Sequence, residues 1–199
     1  MKREKKRGVP IVSGPAGFLS FFLSFALVFL LGGPVYPLAV GAALLVHESS
    51  HFLAAAALGV PLSSVRIGAW GVSTVFDYSA VSVKREVAVL LSGPAASFAA
   101  AFALFRTPLT DVPGGVYFVL SSFALGAVNL LPVDGLDGGA ALSAIVDRFA
   151  LPDRAWRIST VTSRIFTFAF WGVAVATQAA AGFSWSLLLL SLYFLLRVR

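Results

Sequence analysis

The sequence predicts an all-α polytopic membrane protein of about six transmembrane helices, with a short interfacial β-hairpin between the second and third. Three observations predict it. Only 12% of the 199 residues are charged while 58% are hydrophobic, with a mean hydropathy of +0.90; a soluble domain carries about 25% charged residues. The apolar residues come in long runs rather than in amphipathic stripes, as a bilayer requires. The basic residues flank those runs. That placement is a membrane topology signal rather than a nucleic-acid surface, despite a net charge of +6 and a pI near 10.2. No nucleic-acid partner is expected. The chain has no cysteine, which excludes disulfides, thiolate metal sites and cysteine nucleophiles.

A helix needs about 20 mostly apolar residues to cross the hydrocarbon core. The runs that supply them are 16–32, 35–58, 87–105, 115–131, 158–180 and, shorter than the rest, 183–196. Gly32, Gly33 and Pro34 separate the first two, which favours a helical hairpin over one long span. Residues 1–15 form a basic N-terminal segment, and 16–199 a single membrane domain. Lys2, Arg3, Lys5, Lys6 and Arg7 place the N-terminus in the cytoplasm. With six spans, Arg66, Lys84, Arg85, Arg148, Arg154, Arg157, Arg197 and Arg199 also fall inside; five would strand the last two outside. The expected location is therefore the plasma membrane, multi-pass, with both termini cytoplasmic. A basic start before an apolar run also resembles a signal peptide, but no cleavage-site pattern stands out. Arg164, within the fifth span, is expected to snorkel to the cytoplasmic interface.

The segment 60–85 differs in kind. Val65, Ile67 and Ala69 alternate with other residues, and Gly71 precedes Val72-Ser73-Thr74-Val75-Phe76. This reads as two short strands around a Trp70-Gly71 turn, too apolar for a solvated loop and so placed at the membrane interface.

The sequence holds two histidines in all, His47 and His51, with Glu48 directly after the first. Four residues apart on a helix, the two rings share one face. Two neutral imidazoles so placed can ligate one zinc ion, and the intervening glutamate can act as general base. Ionisable residues inside a span are costly and mark function. A pair of histidines bonded to neighbouring helices is the bland alternative. A catalytic zinc takes three protein ligands, so the third must be a carboxylate: Asp77, Glu86, Asp111, Asp134, Asp137, Asp147 or Asp153. Asp111 falls on the outer face, Asp147 and Asp153 among arginines. Asp77 and Glu86 flank the hairpin. Asp134 and Asp137 lie in Asn129-Leu-Leu-Pro-Val-Asp-Gly-Leu-Asp-Gly-Gly139, where Pro132 and the glycines break the helix and free backbone groups to line a polar cavity. Geometry alone leaves these two open, and a simple surface turn is their bland reading.

His47-Glu48-Ser49-Ser50-His51, followed by Asn129-Leu130-Leu131-Pro132 and Leu136-Asp137-Gly138, resembles the site-2 protease family of intramembrane zinc metalloproteases. The similarity covers the second to fourth spans. It implies one zinc per chain held by His47, His51 and Asp137, with Glu48 as catalytic base. Asp134 remains an alternative metal ligand. The resemblance gives Asn129 a substrate-holding or oxyanion role, and Ser92-Gly93-Pro94 looks like the family's small-residue motif. Two departures stand out: Ser50 replaces the usual glycine, and Asp134 stands where proline is frequent. The compact length leaves room for neither a PDZ-like insert nor a nucleotide-sensing module, and looks most like the sporulation-type branch.

The implied activity is hydrolysis of peptide bonds in or near a transmembrane segment of a membrane-tethered protein. The expected partners are that substrate and the lipid bilayer, with a regulatory membrane protein or self-association compatible with both. An ion- or proton-coupled transporter is the first alternative, although no internal repeat supports it. A catalytically silent homologue is the second.

Overall fold

The computed structural model describes residues 33–68 and 71–181. The expected spans at 16–32 and 183–196, and the basic segment 1–15, lie outside the described residues. The chain divides into two compact units, Met1–Ala127 and Val128–Arg199.

In the first unit, helix α1 runs Val35–Leu58 after Pro34. Its 24 residues give about 36 Å of rise, enough for a hydrocarbon core of about 30 Å. The buried residues include Ala39, Ala43, His47, His51 and Ala55, a row in steps of four. Leu45 and Leu53, by contrast, are 73% and 71% exposed. Small and polar residues face inward and large apolar ones outward, the order expected where lipid is the solvent. Gly59 ends the helix at φ +66°. Val60 N–H donates to the Ala55 carbonyl at 2.8 Å and Gly59 N–H to Ala56 at 3.4 Å, a Schellman closure.

Strands β1 (Leu62–Gly68) and β2 (Gly71–Phe76) follow as an antiparallel pair, from Leu62 opposite Phe76 to Gly68 opposite Gly71, with an irregularity between Leu62 and Ser64. The expected pair of strands is present, while Trp70 of the expected turn lies outside the described residues. Phe76 joins Ala55, Val60 and Val89 in a buried apolar cluster, and meets Phe52 edge-on at 6.2 Å between ring centroids. The hairpin is thus fixed to α1 at its C-terminal end.

Helix α2 spans Val83–Phe105 and buries Val89, Gly93, Ser97 and Ala101, a second row in steps of four. The two rows face each other antiparallel, since His51 meets Val89 while His47 meets Ser97. Glycine, serine and alanine along the seam permit close backbone approach. A short 3₁₀ turn at Pro108–Asp111 leads to α3, Pro113–Asn129. Gly126 of α3 lies against Phe98 and the Pro94 carbonyl, so that an added Cβ would meet both at 3.2 Å. Phe98 and Phe123 pack edge-on at 5.3 Å.

In the second unit, the chain breaks after Asn129. Leu136 N–H donates to the Val133 carbonyl at 3.0 Å, and Gly135 has φ +87°, the geometry of a type II turn. Helix α4, Asp137–Phe149, starts at once, and α5 covers Pro152–Ala181. Backbone carbonyls of Leu130, Leu131 and Val133 crowd Gly138 and Gly139, where no Cβ would fit. The turn is therefore folded tightly over the first turn of α4.

The sequence expectation of about six spans is refined here. Among the described residues are five α-helices, of which α1, α2 and α5 are long and apolar enough to cross a membrane. The fourth expected span is a 17-residue helix, about 26 Å long. The connection expected between 131 and 158 is a separate amphipathic helix, α4, and α5 starts at Pro152, six residues before the expected 158. The run of glycines after Asp137 hid the helix start, because glycine usually reads as a breaker.

Gly59→Ala tests the helix closure. Nothing lies within 4 Å of the added methyl, so only the left-handed backbone opposes it, at about 1 kcal/mol. Thermal unfolding of the solubilised protein should show a lower midpoint than wild type.

Candidate metal centre

His47 and His51 sit on the buried row of α1, 3% and 5% exposed. Each ring is held from behind by α2. His51 Nδ1–H donates to the Val89 carbonyl at 2.8 Å. A carbonyl only accepts, so the proton is on Nδ1 and Nε2 carries the lone pair. His47 Nδ1 lies 2.9 Å from the Ser97 hydroxyl, which is fully buried, and the same tautomer follows when that nitrogen donates. The two Nε2 atoms then face each other at 3.4 Å, with the rings at 79° and centroids 5.0 Å apart. Two nitrogens bound to one tetrahedral zinc at about 2.05 Å each stand about 3.3 Å apart. The imidazole pair already has that spacing, so the donor set fits a zinc ion.

Gly93 explains the approach. A Cβ there would overlap His51 Nε2 and would come within 2.8 Å of His47 Nε2. The motif Ser92-Gly93-Pro94 therefore does more than pack helices: glycine leaves the space in front of both ligand nitrogens. Ser92 Oγ donates to the Val89 carbonyl at 2.7 Å, the oxygen that also accepts from His51. Ser50, where glycine was expected from the resemblance, bonds back to the His47 carbonyl at 2.7 Å. Its hydroxyl is taken up by its own helix and stays clear of the rings.

Glu48 is half-buried, and its Oε2 accepts from the Thr74 hydroxyl at 3.3 Å. Asp137 is half-buried in the first turn of α4, where the helix dipole favours a carboxylate. Asn129, also half-buried, is the last residue of α3 before the break.

Glu86 is half-buried in the first turn of α2. Asp134 is exposed, its backbone N–H donating to Ser163 Oγ at 2.9 Å. It lines a polar cleft of about 190 Å³ with Ser143, Ser159, Thr160 and Arg164. Arg164, expected to snorkel, thus borders this cleft. Asp77 is exposed and is capped by Ser79, whose side-chain and backbone hydrogen bonds hold its carboxyl below the usual range. Asp111, Asp147 and Asp153 are exposed. Sequence reasoning missed Ser97 and Thr74. Ser97 could have been found from its place four residues after Gly93 on the same helix face. Thr74 had no such signal.

Ser97→Ala should weaken zinc binding about 10- to 100-fold, the usual effect of losing an outer partner of a ligating histidine. Gly93→Ala should abolish stoichiometric zinc by displacing both rings. Metal analysis of purified, folded variants checks both.

No protein-family model matches the chain. It is 28% identical over 160 residues to a Synechocystis protein, sll0528, named as a candidate zinc metalloprotease; the match covers 77% of this chain and 38% of that one. It is 30% identical over 132 residues to Rip3 of Mycobacterium tuberculosis, named in the same way, covering 62% and 34%. The chain thus matches over a third or slightly more of the length of these relatives. Among solved structures it is similar to the site-2 protease of Methanocaldococcus jannaschii, with a TM-score of 0.62 and 19% identity over 98% of this chain and 91% of that one. That likeness shows the fold.

Proposed function

We propose that this chain, a distant homologue of the site-2 protease zinc metalloproteases, cleaves peptide bonds in or near transmembrane segments of membrane-tethered proteins. The observation that carries the reading is the buried pair His47–His51, set at the spacing of two zinc ligands. In this reading Asp137, the aspartate of the Leu136-Asp137-Gly138 element, is the third ligand, as the resemblance to the site-2 proteases implies. A bound zinc would supply Lewis-acid polarisation of a carbonyl and of water at neutral pH.

The protein's own residues do the rest. The two histidines present neutral Nε2 atoms because Ser97 and Val89 hold the Nδ1 side. Glu48 takes a proton from the attacking water and hands it to the leaving amine nitrogen. In this reading Asn129 donates an amide N–H to the carbonyl oxygen as negative charge develops there. Burial keeps the reaction in a low dielectric, where those contacts are stronger than in water. A helical substrate hides its amides in internal hydrogen bonds, so the segment must be extended before it can be cut. The edge of the hairpin offers backbone groups for that extended strand.

The basic residues around the described helices support a plasma-membrane protein with both termini in the cytoplasm. Cleavage toward that side releases a cytoplasmic fragment. A membrane-embedded regulator or self-association would control access.

The test is co-expression with a tagged single-span reporter. Wild type should shorten the reporter and purify with one zinc per chain. Glu48→Gln should lower the rate about 10²- to 10⁴-fold while keeping zinc, and Asp137→Asn should lose zinc. Cleavage by Glu48→Gln at the wild-type rate rules the mechanism out. Zinc retained with no cleavage by wild type would identify a silent binder.

A further inference from the structure

The hairpin and the catalytic helix meet at two levels. Phe76 packs on Phe52, and two residues earlier on β2 the Thr74 hydroxyl reaches Glu48 Oε2 at 3.3 Å. The spacings match. Residues 74 and 76 lie on one face of a strand, about 6.6 Å apart. Residues 48 and 52 lie on one face of a helix, one turn or about 6 Å apart. Strand β2 can therefore run alongside α1 in step, with Phe76 as the apolar anchor and Thr74 as the polar contact. The anchor is firm, because Phe76 belongs to the cluster with Ala55, Val60 and Val89. Asp77 N–H adds a hydrogen bond to the Pro61 carbonyl at 2.8 Å, which closes the base of the hairpin.

A glutamate side chain has three rotatable bonds, and holding it in one arrangement costs side-chain entropy. A general base must also sit within hydrogen-bond reach of its water. A donor on one carboxylate oxygen narrows the rotamers that the side chain can adopt. Resting on the function proposed above, we infer that Thr74 is a positioning residue for Glu48, and that seating of β2 on α1 is a condition of turnover rather than of metal binding. The hairpin then has two duties. Its outer edge offers backbone to an extended segment, and its inner face sets the base. A segment that shifts β2 along α1 changes the rate at the same stroke.

Thr74→Val keeps the shape and removes the hydroxyl. Measured on the full chain in lipid nanodiscs with the single-span reporter, it should lower kcat about 10-fold or more, with KM and zinc content as in wild type. Thr74→Ser should restore most of the loss. In a Glu48→Gln background, Thr74→Val should add nothing, since the group it positions is gone. An unchanged kcat overturns the inference, and so does a rise in KM alone, which would make the hairpin a binding edge only. Loss of zinc in Thr74→Val would show a structural role and overturn it as well. The contact can also be read without activity, because the chain has no cysteine. A Glu48→Cys, Thr74→Cys pair should be bridged within one chain by a short flexible bis-maleimide, seen by intact mass. Failure to form the bridge overturns the contact. A bridge formed in a chain whose wild type cuts nothing would instead overturn the proposed function and, with it, the positioning role of Thr74.

Discussion

The seam between α1 and α2 governs the rest. Along it, Ala39, Ala43, His47, His51 and Ala55 face Val89, Gly93, Ser97 and Ala101. Only small side chains at most of these positions let the backbones come close enough for α2 to reach behind the histidine rings. The price of a larger residue is clearest at Gly93, where a methyl would occupy the space before both Nε2 atoms. In lipid no hydrophobic effect drives such helices together, so packing and hydrogen bonds must do it. Here the hydrogen bonds that join the helices are the same ones that orient the imidazoles. Metal site and helix association share one set of contacts.

That sharing shapes the composition. Large apolar residues such as Leu38, Leu45 and Leu53 of α1 point outward, where lipid solvates them. Polar groups concentrate at the seam, at the hairpin and in the break before α4. The three polar groups of the α1 motif have local partners: the Val89 carbonyl for His51, Ser97 for His47, Thr74 for Glu48. The break after Asn129 follows the same logic. Backbone groups released there are recaptured in a type II turn at Val133–Leu136, and the glycines at 138 and 139 admit the carbonyls of the preceding turn.

How much of this was legible in the sequence differs by element. The helix carrying His47 and His51 was read with its boundaries, because Pro34 and Gly59 bracket a mostly apolar run broken only by the motif itself. The hairpin was read from alternation ending at Phe76. Helix α4 was not, since its start carries Gly138 and Gly139, residues that signal a turn when read locally and fit here for packing reasons that only the fold reveals. The ligand spacing of the two histidines was visible as a sequence interval. Their outer partners were not, because Ser97 is 50 residues from His47 and Thr74 is 26 from Glu48. Nothing in a single sequence ties such pairs together except a helix face already known to pack.

The hairpin's place beside Glu48 follows from the same economy of contacts. The proposed proteolysis requires water and an extended backbone to enter a region that otherwise excludes both. Non-helical backbone is tolerated at such depth only where protein covers it or a cavity solvates it. A two-stranded sheet satisfies one edge of each strand internally and leaves the outer edges to be filled, so an unoccupied edge carries a cost that an incoming segment relieves. With β2 fixed to α1 through Phe76 and touching Glu48 through Thr74, the element that gains most from binding a strand is also the one in contact with the base. Binding energy gathered at the sheet edge can thereby be spent on alignment at the reacting centre, the arrangement that raises turnover rather than affinity alone.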